Sequence, residues 1–546
     1  MGLYTKLPQG IDEVDVIIAG GGTAGCVVAA RLAEADPALS ILMIEGGSNN
    51  ESPYIKHPAC FMTHLSPDSK TNNFYVAKKS PAVADRTLTL PAGGVLEGGS
   101  STNMMMYSRP QRSDWDSWNA PGWSADDMVP YLKKLETYHG KDEKGIHGQD
   151  GPIHVSRGSY SSETLSNESM VAAKRVGLTV IEEDLSDIDS VNALWLAKRF
   201  ISPDGKRQDA ASCYLHPLLR DGNHSNLHVL VESQVARILL DENKRAAGVE
   251  FRSNPEFHPD NANPPLRSVK ARRLVVASCG ACATLSLLER SGIGGSEVLE
   301  RAGVPVVVDL PGAEVIALGP EFKQAWDKEF RDYPDKPLGI INVLAGLPGD
   351  PRLATGDPSL AITAFTPYPF SRGHIHITGP KLGDPLDFET GFFEDAGHLD
   401  VKKHIWMYKK QREFIRRMPS YRGEMVHCHP PFAPESSAAC IALGDDPLAE
   451  DVHEIEYSAA DDVVLEEWLR ENVSTTWHSL GTCKMLPRDQ MGVVDPSLGV
   501  YGIQGLKIAD LSIAPRNVAA NTNDTALAVG EKAADIFIKE LNLRSV

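Results

Sequence analysis

The chain has 546 residues, too many for one ordinary hydrophobic core, so two closely joined domains are expected. Hydrophobic residues at 42% and charged residues at 23% describe a globular protein, and a formal charge of −19 argues against nucleic acid as a partner. No apolar run reaches the length of about eighteen residues that a spanning helix needs, and the first residues lack the basic-then-apolar order of a secretory leader. No membrane contact is therefore expected, and an intracellular place, cytoplasmic or peroxisomal, is.

In chain order, the apolar run Val16 to Ala19 reads as a buried strand, breaks into Gly20-Gly21-Gly22-Thr23-Ala24-Gly25, and continues as a helix through Val27, Val28 and Leu32. A second apolar strand, Ile41 to Ile44, ends on Glu45, twenty positions after Gly25. Strand, glycine turn, helix, strand and acid together form a dinucleotide-binding βαβ unit. Gly20 permits the tight turn, Gly22 lets a pyrophosphate approach the backbone, and Gly25 lets the helix pack closely on its strand. Thr23 and Ala24 open the helix, whose N-terminus offers unpaired N–H groups to phosphate. Glu45 is placed to accept hydrogen bonds from ribose hydroxyls.

From about Asn226 to Pro311 two apolar stretches read as paired strands, and the stretch from Arg272 to Gly294 reads as a strand turning into a helix. His374 to Thr378 alternates and predicts an antiparallel strand of a second sheet. Near the C-terminus a short strand around Lys507 to Ala509 leads through an Asn-rich loop into a helix with apolar residues at helical spacing. The eight cysteines are scattered; Cys279 and Cys282 have redox-motif spacing, but no second pair accompanies them for zinc, and free thiols with no metal site are the expectation. The predicted fold is α/β, with a Rossmann-like domain from 1–150, 226–313 and 488–546. A discontinuous substrate or cap domain with an antiparallel sheet takes 151–225 and 314–487.

Four motifs run through the chain: the βαβ unit, Leu96 to Arg109 (LEGGSSTNMMMYSR), Gly280 to Leu285 with Ser291 to Gly294, and Trp477 to Met485 followed by Asn521 to Asp535. In this order they resemble the glucose–methanol–choline oxidoreductase family, enzymes that hold FAD and oxidise alcohols. Asn73 to Val76 and Gly205 to Asp209 are most similar to fungal alcohol oxidases of the methanol oxidase type.

The resemblance implies FAD as cofactor, a primary alcohol as substrate, and dioxygen as acceptor, giving an aldehyde and hydrogen peroxide. Another electron acceptor, a hydroxynitrile lyase reaction, and a non-catalytic homologue are the alternatives. His478 stands at the family's catalytic histidine; a neutral imidazole, ordinarily near pKa 6.5, suits removal of the hydroxyl proton. Asn521 stands at the second catalytic position, where its amide steadies the alcohol oxygen. Gly99, Ser100, Ser101, Asn103 and Met104 form a loop against the flavin, while Asp510, Thr522 and Val235 lie where the family meets other parts of FAD. Met104 replaces an aromatic residue of the methanol oxidase relatives, which points to a larger alcohol. Large homo-oligomers are known in such relatives.

Two departures stand out. Glu97 occupies the place of a third glycine, setting a negative side chain beside the dinucleotide. After Gly312 the family's glycine-rich stretch is missing; Ala313 to Glu321 reads differently, and a further piece of the cap is absent. A smaller working enzyme, a sequence artefact and a decayed protein are the three readings.

Overall fold

The apolar runs at Val16–Ala19, Ile41–Ile44 and Leu274–Ala277 do not alternate with polar residues, which is the pattern of strands covered on both faces, and every side chain in them is buried. The computed structural model describes residues 2–142, 144–181, 189, 193–260, 264–310, 330, 333, 335–346, 359–442, 444–446, 448 and 452–543. Ala313 to Glu321, where the family's glycine-rich stretch was expected, lie outside the described residues.

The main sheet has eight strands: β1 (Gly2–Tyr4), β2 (Glu13–Ala19), β3 (Ile41–Ile44), β4 (Leu227–Leu230), β5 (Ser233–Leu240), β6 (Ala246–Ser253), β7 (Arg267–Ala277) and β8 (Leu506–Ile508). Their order is β1-β4-β3-β2-β7-β6-β5, with β8 also paired to β7. From β1 across to β7 the pairs are parallel, as is β7 with β8; β6 runs antiparallel to both β5 and β7. The sheet is therefore the α/β sheet the sequence predicts, with an antiparallel margin.

Three helices matter to the site: α1 (Thr23–Ala35), α2 (Gly280–Arg290) and α3 (Asn523–Glu540). A fully buried carboxylate, Glu531 of α3, ties α1 to α3. It accepts from Arg31 (2.7 Å), Tyr214 (2.8 Å) and Lys134 (3.0 Å). A charge taken out of water is tolerable only when so fully paired.

The opposite layer consists of antiparallel pairs: Asn72–Ser80 with Arg86–Gly93, Ile340–Ala345 with Leu360–Phe365, and His374–Ile377 with Leu386–Glu389. The strand predicted at His374 is present and antiparallel, but among the described residues its sheet has only two strands. Helices Leu399–Ile415 and Ala459–Asn472 close over these pairs around a core that includes Phe393, Tyr408, Phe432 and Leu465. Among the described residues no helix is long and apolar enough to cross a membrane.

Candidate active site

A cavity of about 1250 Å³ runs from the β2–α1 turn to His478 and Asn521. At its first end the backbone does the shaping. Gly20 has φ +94°, and a Cβ there would sit 2.4 Å from the carbonyl oxygen of Ser278, so only glycine fits. Gly22 precedes α1 and offers no capping side chain, and the first turn carries no acid. The first N–H groups of α1 thus have neither an intrahelical acceptor nor a cap, and the positive end of the helix opens on the cavity. Gly20, Gly22, Thr23 and Ala24 line this end. Gly25 does not: it faces the strand, where a Cβ would lie 2.6 Å from the Gly20 oxygen. Glu45 lines the cavity at the end of β3, and its carboxylate accepts from the N–H groups of Gly21 (2.7 Å) and Gly47 (2.8 Å). Burial raises its pKa while these bonds oppose the rise. Two backbone bonds fix the carboxylate and leave further lone pairs for a ligand hydroxyl.

The loop from Glu97 to Met104 lies beside this turn. Glu97 is buried at φ +83°, and its N–H donates to the Gly21 carbonyl. Its carboxylate accepts from Asn50 (3.0 Å), Ser101 (3.2 Å), the Ala210 N–H (2.8 Å) and the Ser100 hydroxyl. Burial, reinforced by the neighbouring Asp209, holds it well above the usual carboxylate range. The unexpected acid is thus folded beneath the turn and does not line the cavity. Ser100 and Ser101 turn inward with it, and Thr23 completes the cluster, 3.0 Å from the Ser100 hydroxyl. Gly99, Asn103 and Met104 do line the cavity. Arg207 pins the loop through the Ser100 carbonyl (3.0 Å) and the Asn103 side-chain oxygen (2.9 Å).

Val235 of β5, Asp510 after β8, and Thr522 before α3 line the same cavity. Asp510 accepts from the Gly280 N–H (2.9 Å), the Thr284 hydroxyl (2.6 Å) and the Ser512 N–H (2.8 Å), tying the start of α2 to the end of β8.

At the far end, His478 and Asn521 meet. The Asn521 Nδ2 lies 3.5 Å from His478 Nε2, at the outer limit of a hydrogen bond, so both point at one place without holding each other tightly. Ser108 sets the amide: its hydroxyl donates to Asn521 Oδ1 (3.2 Å) and accepts from the Asn521 N–H (2.8 Å), which turns the NH₂ group towards the imidazole. Phe365 presents an edge to the His478 ring at 5.6 Å. The preceding residue, Trp477, has φ +63°, an unusual backbone for a bulky side chain and one that turns the imidazole into the cavity. Burial pushes the His478 pKa down to about 4. The exposed edge of His478 faces the cavity. Sequence reasoning missed three contributors. Ser108 and Arg207 stood inside quoted motifs with no role attached, and Phe365 carried no signal.

The GMC oxidoreductase family model matches residues 14–310 and 369–530 of this chain. An alcohol oxidase from Pichia angusta is 33% identical over an alignment that covers 97% of this chain and 95% of the relative. The chain belongs to the GMC oxidoreductase family. A second alcohol oxidase, from Candida boidinii, is 31% identical with the same coverage. In fold, this GMC oxidoreductase matches an FAD-dependent oxidoreductase from Chaetomium thermophilum with a TM-score of 0.75 at 24% identity, covering 97% of this chain and all of the other. The alignment with the Pichia angusta enzyme runs over 644 positions, more than the 546 residues of this GMC oxidoreductase, so that relative carries residues this chain lacks. Residues 311–368 fall between the two family matches.

Proposed function

We propose that the chain uses FAD to oxidise a primary alcohol to an aldehyde, with dioxygen as acceptor and hydrogen peroxide as by-product. The reading rests on one observation above all: a general base and an amide donor converge at one end of a cavity whose other end is an uncapped helix N-terminus. The residues fit FAD. The N–H groups at the start of α1 would take the pyrophosphate, Glu45 the adenosine ribose, and Gly99, Asn103, Met104, Asp510 and Thr522 the remainder. Val235 would meet the adenine half through its backbone. The division into a cofactor domain (1–150, 226–313, 488–546) and a substrate domain (151–225, 314–487) belongs to the same proposal.

When bound, FAD supplies two-electron acceptance from the carbinol carbon and reoxidation by dioxygen. The chain supplies the rest. His478, neutral above about pH 4, takes the hydroxyl proton at Nε2. Asn521 donates from Nδ2 to the oxygen as negative charge develops there, and Ser108 keeps that amide from rotating.

The test is anaerobic addition of an alcohol panel to the purified holoprotein. Bleaching of the visible flavin band, followed by stoichiometric peroxide on admitting air, is the expected result. A band that no alcohol bleaches, or a purified protein without flavin, overturns the reading.

A further inference from the structure

Behind His478 lies a second, smaller chamber of about 200 Å³. It shares Phe365, His404, the run from Val473 to Thr476, His478 and Ser479 with the main cavity, so the imidazole stands on the boundary between the two. Leu90, Phe365, Phe392, Phe393 and Val473 supply its apolar wall, the first, second and fourth of these being buried, and neutral side chains such as Thr366, Thr390 and Asn517 complete its lining. Resting on the alcohol-oxidising reading, we propose that this chamber takes the hydrocarbon tail of the substrate, and that the substrate is a neutral aromatic or medium-chain primary alcohol.

Size, charge and position carry the assignment. An apolar cavity of about 150 Å³ is enough to bind benzene, so this one accepts a phenyl ring or a hexyl chain, whereas methanol would leave it unfilled. The charged groups at its edge are already engaged. Asp400 pairs with Lys403 (3.0 Å) and accepts from the N–H groups of Phe370 (3.0 Å) and Ser371 (2.8 Å). His404 is bonded through Nδ1 to the Asp400 carbonyl (2.7 Å). Among the described residues lining the chamber there is no lysine or arginine, and its one carboxylate is already paired, which favours a neutral tail. His478 lines both spaces and Asn521 only the main cavity, so a hydroxyl held between them keeps the reacting carbon on the cofactor side while its tail reaches past the imidazole into the chamber.

The experiment uses the holoenzyme and an alcohol series from methanol to octanol, with benzyl alcohol. In the unaltered protein kcat/KM should rise about fourfold per methylene until the chamber is full, following the gain from burying each CH₂. Thr390 lines the chamber and not the main cavity. Thr390→Phe should cut kcat/KM for hexanol and benzyl alcohol about tenfold or more while leaving ethanol within about twofold. Phe392→Ala should move the optimum to longer alcohols. Calorimetric binding of toluene, which has no hydroxyl to oxidise, reads the chamber apart from the chemistry: Thr390→Phe should abolish it. A preference for methanol, or a size profile and toluene affinity untouched by Thr390→Phe, overturns the proposal. So does a variant whose anaerobic reduction by hexanol is normal and whose reoxidation alone is slow, which would assign the chamber to dioxygen. If no alcohol bleaches the flavin, the functional reading itself fails and the tail assignment falls with it, even where toluene binds.

Discussion

At the cradle end of the cavity the groups that would take the pyrophosphate are main-chain N–H groups of α1 and the space left by Gly20 and Gly22, all from one short stretch of sequence. At the far end they are side chains, His478, Asn521 and Phe365, brought in by segments distant from one another. A ligand site made of backbone is inseparable from the fold, because changing it means moving the chain. A site made of side chains can lose its chemistry while the fold stands. The two ends should therefore fail in different ways.

Gly20→Val gives the largest effect. Its side chain would meet the Ser278 carbonyl at a distance no real Cβ adopts, at a φ that valine avoids, so the purified protein should be colourless or insoluble. Flavin content per chain measures it; a fully yellow variant would break the contrast. His478→Ala should instead keep its flavin and lose about a thousandfold in kcat, the usual scale for a general base, as read by stopped-flow reduction. Asn521→Ala should cost about a hundredfold with the flavin again retained, the scale of one donor to a developing oxyanion. Ser108→Ala frees the amide without removing it, and about fivefold in kcat is expected, as for a neutral hydrogen bond worth about 1 kcal/mol. The mildest expectation concerns pH. Since burial lowers the His478 pKa to about 4, the base stays neutral through weak acid, and kcat/KM at pH 5 should be within about twofold of that at pH 7. An imidazole at its ordinary value would instead give about a twenty-fivefold loss between pH 7 and pH 5.

The same contrast explains what the sequence made legible. The β2–α1 turn could be read because its parts are neighbours in the chain, so spacing alone fixes their geometry. Glu97 could not. Its position beside the dinucleotide turn was correct, but what keeps its carboxyl harmless is Asn50, Ser100, Ser101 and the Ala210 N–H, a set joined only by folding. Ser100 and Ser101 follow the same logic, turning towards that acid and away from the cavity. The pairing of His478 with Asn521 spans 43 positions, and nothing periodic connects them; it was reached through resemblance to a family. The side chamber had no sequence signal at all, since Leu90, Phe365 and Phe393 are ordinary apolar residues until separate parts of the chain bring them to one space.

The clamp of Arg31, Lys134 and Tyr214 on Glu531 bears on how the molecule is made. The stretch containing Arg31 leaves the ribosome first, and its carboxylate partner follows 500 residues later. Until α3 emerges, the face of the nucleotide-cradling helix that packs on it is uncovered and its arginine lacks that counter-ion. Flavin loading should therefore be a late, post-translational event, and nascent chains stalled before residue 523 should remain colourless however much cofactor surrounds them.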